Sequence, residues 1–295
     1  MCIRDRHLTE EIFWNPSLER SNDFHYYFRA NSLFWDPNIF GRYLAIPAVL
    51  IVAVALWTRE PRRLAAVAAV LAVLLLGLLV AYSQTSFISL LCGVTVLAAL
   101  GLSLRWTIVG APIAAVAVIL LVFVAGGTSQ SENSAKEISS GRTTLIEGGW
   151  HLARSEPLIG HGSASFSRAF AEQEDITTRK TTISHNEPVT VAAEQGLVGL
   201  LVYAALIATA FWTLLAGIRR IAPGLGAPRD SIGDPAEGGE PALNLARIAL
   251  VSALAALLVH TIGYGGYLTD PLTWTLLAIG ASLASRPGPA QPSAE

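Results

Sequence analysis

Long apolar runs separated by short polar turns organise this chain. A helix crossing a bilayer core needs roughly 20 mostly apolar residues, because each adds about 1.5 Å and lipid tolerates no unpaired backbone group. Stretches near 40–57, 64–82, 86–104, 107–125, 196–217, 245–263 and 269–285 fit that pattern, the last being short. The fold class predicted is all-α, a polytopic membrane helix bundle of about seven spans. Between spans four and five lie about seventy mostly polar residues, 126–195. That is far more than a connection requires, so a large, partly helical loop is expected there.

Arginines set the orientation, since short cytoplasmic loops accumulate Arg and Lys. Arg59, Arg62 and Arg63 follow the first run, Arg105 the third, Arg219, Arg220 and Arg229 the fifth, and Arg286 the seventh. These fall on one side in strict alternation. The segment 126–195 and the connections 82–85 and 264–270 are then expected on the external, periplasmic face. Residues 7–39 mix charge with aromatics (Phe13, Trp14, Tyr26, Tyr27, Phe34, Trp35) as a loop at a membrane surface would. The opening Met1-Cys2-Ile3-Arg4-Asp5-Arg6 leads into no periodic element, and we expect a chain that lacks N-terminal spans. The expected organisation is therefore 1–39 as external loop, 40–125 as spans one to four, 126–195 as external loop and 196–285 as spans five to seven. Within the last part, 221–244 is rich in Pro, Gly and acid and reads as a cytoplasmic linker, and 286–295 as a cytoplasmic tail.

Composition agrees with lipid as the solvent: 52% hydrophobic, 14% charged and a mean hydropathy of +0.49, against about 25% charged in soluble domains. A net charge of −2, with no basic cluster interleaved with aromatics, argues against nucleic acid as a partner. Cys2 and Cys92 support neither a disulfide framework nor a thiolate site. His151, His161 and His185 lack metal-ligand spacing, so no metal and no cofactor is expected.

Candidate chemistry concentrates in 126–195. Residues 142–154 place Arg142, Leu145, Ile146, Gly149, Trp150 and Ala153 on one helical face, and Pro157 stops the helix. Arg142 reads in two ways: a snorkelling arginine on an amphipathic helix, or a phosphate clamp whose forked donors grip two oxygens. Gly160 and Gly162 permit a tight turn close to a backbone or ligand, with His161 as an exposed turn residue. In Ser184-His185-Asn186-Glu187-Pro188, Asn186 or Glu187 caps a helix with Pro188 in its first turn, so His185 falls at the helix N-terminus. Free N–H groups there favour an anion such as diphosphate and disfavour added positive charge on an imidazole. His185 is then either a general base or a capping residue. Glu194 reads as a structural acid or as a partner standing behind the site.

Taken together, the motifs resemble those of the O-antigen ligase and polymerase family of bacterial membrane glycosyltransferases. Arg29 with Phe34-Trp35-Asp36-Pro37-Asn38-Ile39-Phe40-Gly41 resembles the family's F-x-x-P-N-x-F-G element. Arg142 to Trp150, then Pro157-Leu158-Ile159-Gly160-His161-Gly162 and Phe166, resembles its R…W…P-L-x-G-x-G…F loop. Ser184-His185-Asn186 with Glu194-Gln195-Gly196-Leu197-Val198-Gly199 resembles its H-N…E-x-G-x-x-G signature. The family often carries a Ser-Arg element where this chain has Tyr82-Ser83-Gln84-Thr85-Ser86, with Arg29 as a substitute cation.

The resemblance implies transfer of a glycan from a polyprenyl diphosphate carrier to an acceptor hydroxyl at the outer face of the cytoplasmic membrane, without a metal. It implies His185 and Arg142 as catalytic residues, and Asn186, Gly160, Gly162, Trp150, Arg29, Asn38 and Glu194 around the substrate. The partners implied are the carrier-linked glycan donor, a glycan or lipid acceptor, and membrane lipid. Two other classes compete. A transporter would mark its path with ionisable groups inside spans, for which Arg247 and His260 are the candidates. A non-catalytic envelope-assembly protein would need the loop for partner binding alone.

Overall fold

The computed structural model describes residues 29–34, 36–58, 60–101, 142–173, 184–218 and 240–285. Every regular element among them is a helix: α1 Pro37–Trp57, α2 Pro61–Ala81, α3 Gln84–Gly101, α4 Arg142–Ser155, α5 Phe166–Gln173, α6 Glu187–Ala216, α7 Glu240–Gly263 and α8 Pro271–Ala284. Five of these, α1, α2, α3, α6 and α7, are long and apolar enough to cross a membrane, and α8 is a shorter apolar helix. The predicted fourth span at 107–125 lies outside the described residues, as does 221–239 of the predicted linker 221–244, whose last five residues instead open α7 as helix.

Local chemistry explains where the helices start. Asp36 caps α1 by accepting from Asn38 N at 2.6 Å, Asn186 caps α6 by accepting from Val189 N at 3.1 Å, and Asp270 caps α8 by accepting from Leu272 N at 2.9 Å. Each cap is followed by a proline in the first turn, where a missing N–H leaves no helical bond unmade. α6 therefore begins nine residues before the predicted 196–217 span, and Gly196, at φ 63 and ψ −160, kinks it where that span was expected to start.

Helices α1, α3 and α7 form the centre. Gly93 of α3 brings its backbone against Val49 of α1 and Ala256 of α7, and Ile46, Val251, Leu254 and Leu257 fill the same core. The outward faces of α2 (Val70, Val73, Leu76) and α6 (Leu201, Val202, Trp212) stay apolar and exposed, which suits contact with lipid chains. Arg247 ties one end of the bundle by donating to Gly217 O (2.7 Å) and Leu283 O (3.1 Å), the terminal carbonyls of α6 and α8. The other end gathers the N-termini of α1, α3, α6 and α8 with the C-termini of α2 and α7.

Against the start of α6 rests a small unit of its own, α4 and α5. Leu152, Phe166, Ala169, Phe170 and Ala193 form its core, with Leu145 against them. Gly148 admits the Phe170 ring, and Gly149 admits Phe166 and Val189. The buried stripe of α4 is thus Leu145, Gly148, Gly149 and Leu152. Trp150, predicted on the apolar face, is 47% exposed with Arg154 stacked over its ring at 5.3 Å. Two glycines outweigh one indole here because a helix face without side chains lets two phenyl rings approach the backbone.

Candidate functional site

Two constructions meet at the end of the bundle where α6 begins. The first is the turn 157–162, laid along the kink of α6. Leu197 N donates to Pro157 O (2.8 Å) and Val198 N to Leu158 O (3.3 Å), so the amides freed by the kink find acceptors. In return, His161 N donates to Ala193 O (3.0 Å) and Gly162 N to Glu194 O (2.8 Å). Gly160 (φ 64) meets the Glu194 and Gln195 backbone, and Gly196 meets that of Leu158 and Ile159. The Glu194 carboxylate accepts from Ala164 N (2.9 Å) and Phe166 N (3.1 Å), binding the start of α5. His161 Nε2 lies 2.9 Å from Ser155 Oγ and 3.1 Å from Leu152 O, at the C-terminus of α4. Gly160 and Glu194 therefore join backbones, while Gly162 (φ 97) has open space beside its Cα.

The second construction surrounds His185. Its backbone sits at φ 57, a left-handed conformation uncommon for a side-chain-bearing residue. Asn186 beside it caps α6 and also donates from Nδ2 to Ile262 O at 3.0 Å, tying α6 to α7. The His185 ring rests against the Tyr264 ring, centroids 5.1 Å apart, and Tyr264 lies 6.3 Å from the ring of His260. Glu187, buried, accepts from Gly266 N (2.5 Å) and Leu268 N (3.2 Å), so the turn 264–270 is held against α6. Tyr267 in that turn is fully buried, and desolvation pushes its phenol pKa up, keeping it protonated.

Beneath that turn lies a polar cluster whose central pair, Arg42 and Asp270, the sequence reading missed, having named His260 only as a transporter's marker. Arg42 of α1, 2% exposed, donates to Asp270 Oδ2 (2.6 Å), to His260 Nδ1 (3.1 Å) and to the carbonyls of Tyr264, Gly265 and Gly266. A guanidinium can only donate, so Nδ1 of His260 accepts and its Nε2 carries the proton, 3.0 Å from Ser86 Oγ. Ser86 donates to Ser83 (2.8 Å) and Ser83 to Asn38 Oδ1 (2.9 Å), where Arg29 Nη2 also donates at 3.2 Å. Arg29 Nε reaches Ala81 O at 3.4 Å, so this arginine stands beside the 82–86 stretch. An arginine, a histidine and an aspartate meeting at one end of three apolar helices was the available signal, because an ionisable residue in a span is expensive and marks function.

The side chain of Arg142 lies outside the described residues, but the course of α4 is set. The segment after α4 lies along 193–198 and Gly149 lies on Val189, so α4 runs parallel to the start of α6 with Arg142 toward the His185 end. Arg142, His185, Asn186, Asn38 and Arg29 thus belong to elements that converge on one end of the bundle. Trp150 stands apart, on the outer face of α4.

These features define a polytopic helical membrane protein with an elaborated polar end. Residues 68–204 match the family model described as O-antigen ligase, the family that the motifs resemble. That match covers a little under half of the chain, and the similarity supports a part in membrane glycan assembly. The match spans the Arg142 helix, the 157–162 turn and His185, and leaves out the Arg29–Gly41 segment. No curated protein matches the chain.

Proposed function

We propose that this protein moves a glycan from a polyprenyl diphosphate carrier onto an acceptor hydroxyl, at the external face of the bacterial cytoplasmic membrane. The carrying observation is the conformation of His185, a left-handed residue at the mouth of α6, fixed between a helix cap and the Tyr264 ring. Backbone strain of that kind persists only where surroundings enforce it, and it clusters at reactive sites. His185 takes the proton of the acceptor hydroxyl as that oxygen attacks the anomeric carbon. Diphosphate leaves from the opposite side, and Arg142 neutralises the charge growing on it. Arg29, beside Asn38 and the end of α2, supplies a second cation for the same group. Asn186 holds the helix end that carries His185, and Gly162 leaves room for substrate at the turn. The polyprenyl tail lies against the apolar faces of α2 and α6, adding binding energy away from the reacting centre. The arginines at the Arg62 and Arg247 end mark the cytoplasmic side, opposite the site.

His185→Ala and Arg142→Ala in the full-length protein test this reading through the amount and length of surface polysaccharide. Loss of polymer or of its attachment, with inserted protein at wild-type level, is the expected outcome. Wild-type polysaccharide from either variant overturns the assignment. Among the described residues, the ionisable groups inside the bundle give a solute pathway no support, because His260 is bonded to Arg42 and Ser86 and both charges of the Arg42–Asp270 pair are buried together.

A further inference from the structure

We infer that Arg42 is the positioning residue of this site, acting on His185 through the turn 264–270 and the Tyr264 ring. The inference rests on His185 as the base, and it assigns a role to a cluster that the transfer chemistry leaves unused. Every N–H of the Arg42 guanidinium has an acceptor, and all but the one on His260 lie in 264–270: three carbonyls and the Asp270 carboxylate. Nothing in that set serves to hold α1 against α3, which apolar side chains already do at Val49 and Gly93. A buried guanidinium in a span is an expensive way to join helices, whereas it alone among side chains can collect several carbonyls of one turn.

The same turn is gripped from the other side. Glu187, two residues beyond His185, accepts from the amides of Gly266 and Leu268. Arginine therefore takes carbonyls and glutamate takes amides of one short segment, which fixes its height and rotation between α1 and α6. Tyr264 leads that segment, and its ring is the wall against the His185 imidazole. Asp270 closes the arrangement by pairing with Arg42 while capping α8 and accepting from Tyr43 OH at 2.9 Å. A displaced turn would leave the histidine present but misaimed, and a misplacement near 1 Å can lower a rate about a hundredfold.

The test uses full-length chain in vesicles of phosphatidylethanolamine and phosphatidylglycerol, with diethyl pyrocarbonate as the probe of imidazole reactivity. Carbethoxylation of His185 is read by mass spectrometry relative to His161, which belongs to the separate α4 unit. Arg42→Lys keeps the charge and one partner but cannot span the carbonyls. Tyr264→Leu removes the ring and leaves the backbone bonds. Both variants are expected to change the His185-to-His161 ratio several-fold and to lower surface polysaccharide by about ten- to a hundredfold at equal inserted protein. If Arg42→Lys fails to insert, Tyr264→Leu alone decides. An unchanged ratio in the inserted variants overturns the inference, even where polysaccharide falls, because a merely structural loss would touch both histidines alike. An inactive His185→Ala beside fully active Arg42→Lys and Tyr264→Leu sinks the positioning role and leaves the transfer reading standing. An active His185→Ala removes the base on which both rest.

Discussion

Substituting Gly196 by alanine isolates the joint between the 157–162 turn and α6. A Cβ at 196 would lie within 3.0 Å of the carbonyl group of Leu158 and the amide of Ile159, and both are backbone, so no side-chain rotation relieves the clash. The native φ of 63 with ψ −160 belongs to a region open essentially to glycine, worth about 1–3 kcal/mol of strain for alanine. Forcing the turn outward adds about 1–3 kcal/mol of overpacking and stretches the bonds from Leu197 N and Val198 N. The expected destabilisation is about 3–5 kcal/mol, a fall in Tm on the order of 10 °C for a chain of this size. Gly162→Ala is the internal control: at φ 97 it meets nothing within 4 Å, so only conformational strain of about 1 kcal/mol applies. Thermal unfolding of the purified protein in detergent, with proteolysis of 156–166 as a local readout, compares the two. Gly160→Ala should match Gly196→Ala, and the double variant should fall short of their sum because both push the same two backbones apart. A Gly196→Ala protein melting within a degree or two of wild type, or Gly162→Ala as damaging as Gly160→Ala, would refute the interlocked joint.

Glu194→Ala strips two amides, Ala164 N and Phe166 N, of a charged acceptor, so the start of α5 should loosen by about 2–3 kcal/mol; faster cleavage between 156 and 173 with intact spans is the readout. Asn186→Ala removes both the α6 cap, worth about 0.5–2 kcal/mol, and the Nδ2 bond to Ile262 O, whereas Asn186→Asp keeps the cap. Hydrogen exchange of the first turn of α6 should rise only in Asn186→Ala, while glycan transfer should suffer in both. Arg247→Met leaves the last carbonyls of α6 and α8 without their shared donor, and unfolding of the detergent-solubilised protein should come earlier by about 1–3 kcal/mol.

How much of this was readable beforehand depends on the range of each interaction. Apolar runs and X-Pro helix starts are local, so α1, α2, α3 and α7 fall close to their expected places, and Asn186 is the cap that its position before Glu187-Pro188 implies. Although the helix start is where Asn186-Glu187-Pro188 puts it, the expected span begins only at 196, because Glu194 and Gln195 look too polar for lipid. They lie instead on a pre-kink segment packed against α4 rather than lipid, where Glu194 has two amides to hold. The face of α4 was misjudged for a related reason: an indole scores as apolar, but the partner surface selects the glycines that let Phe166 and Phe170 approach.

The site divides along the same line. His185 at a helix mouth follows from Asn186-Glu187-Pro188 alone, and the two glycines of the 157–162 turn announce a close approach without saying to what. Only the fold shows that Gly160 approaches helix backbone. Arg42 could not be weighed from its own neighbourhood, Phe40-Gly41-Arg42-Tyr43, because its partners stand more than two hundred positions away at His260 and Asp270. What sequence does offer is depth: positive-inside orientation puts the start of α1, the end of α7 and the start of α8 at one level of the membrane. Three ionisable residues sharing one level in apolar surroundings must either pair or line an aqueous path. Pairing is what the fold provides, and the turn that the pair secures is the one against which His185 rests.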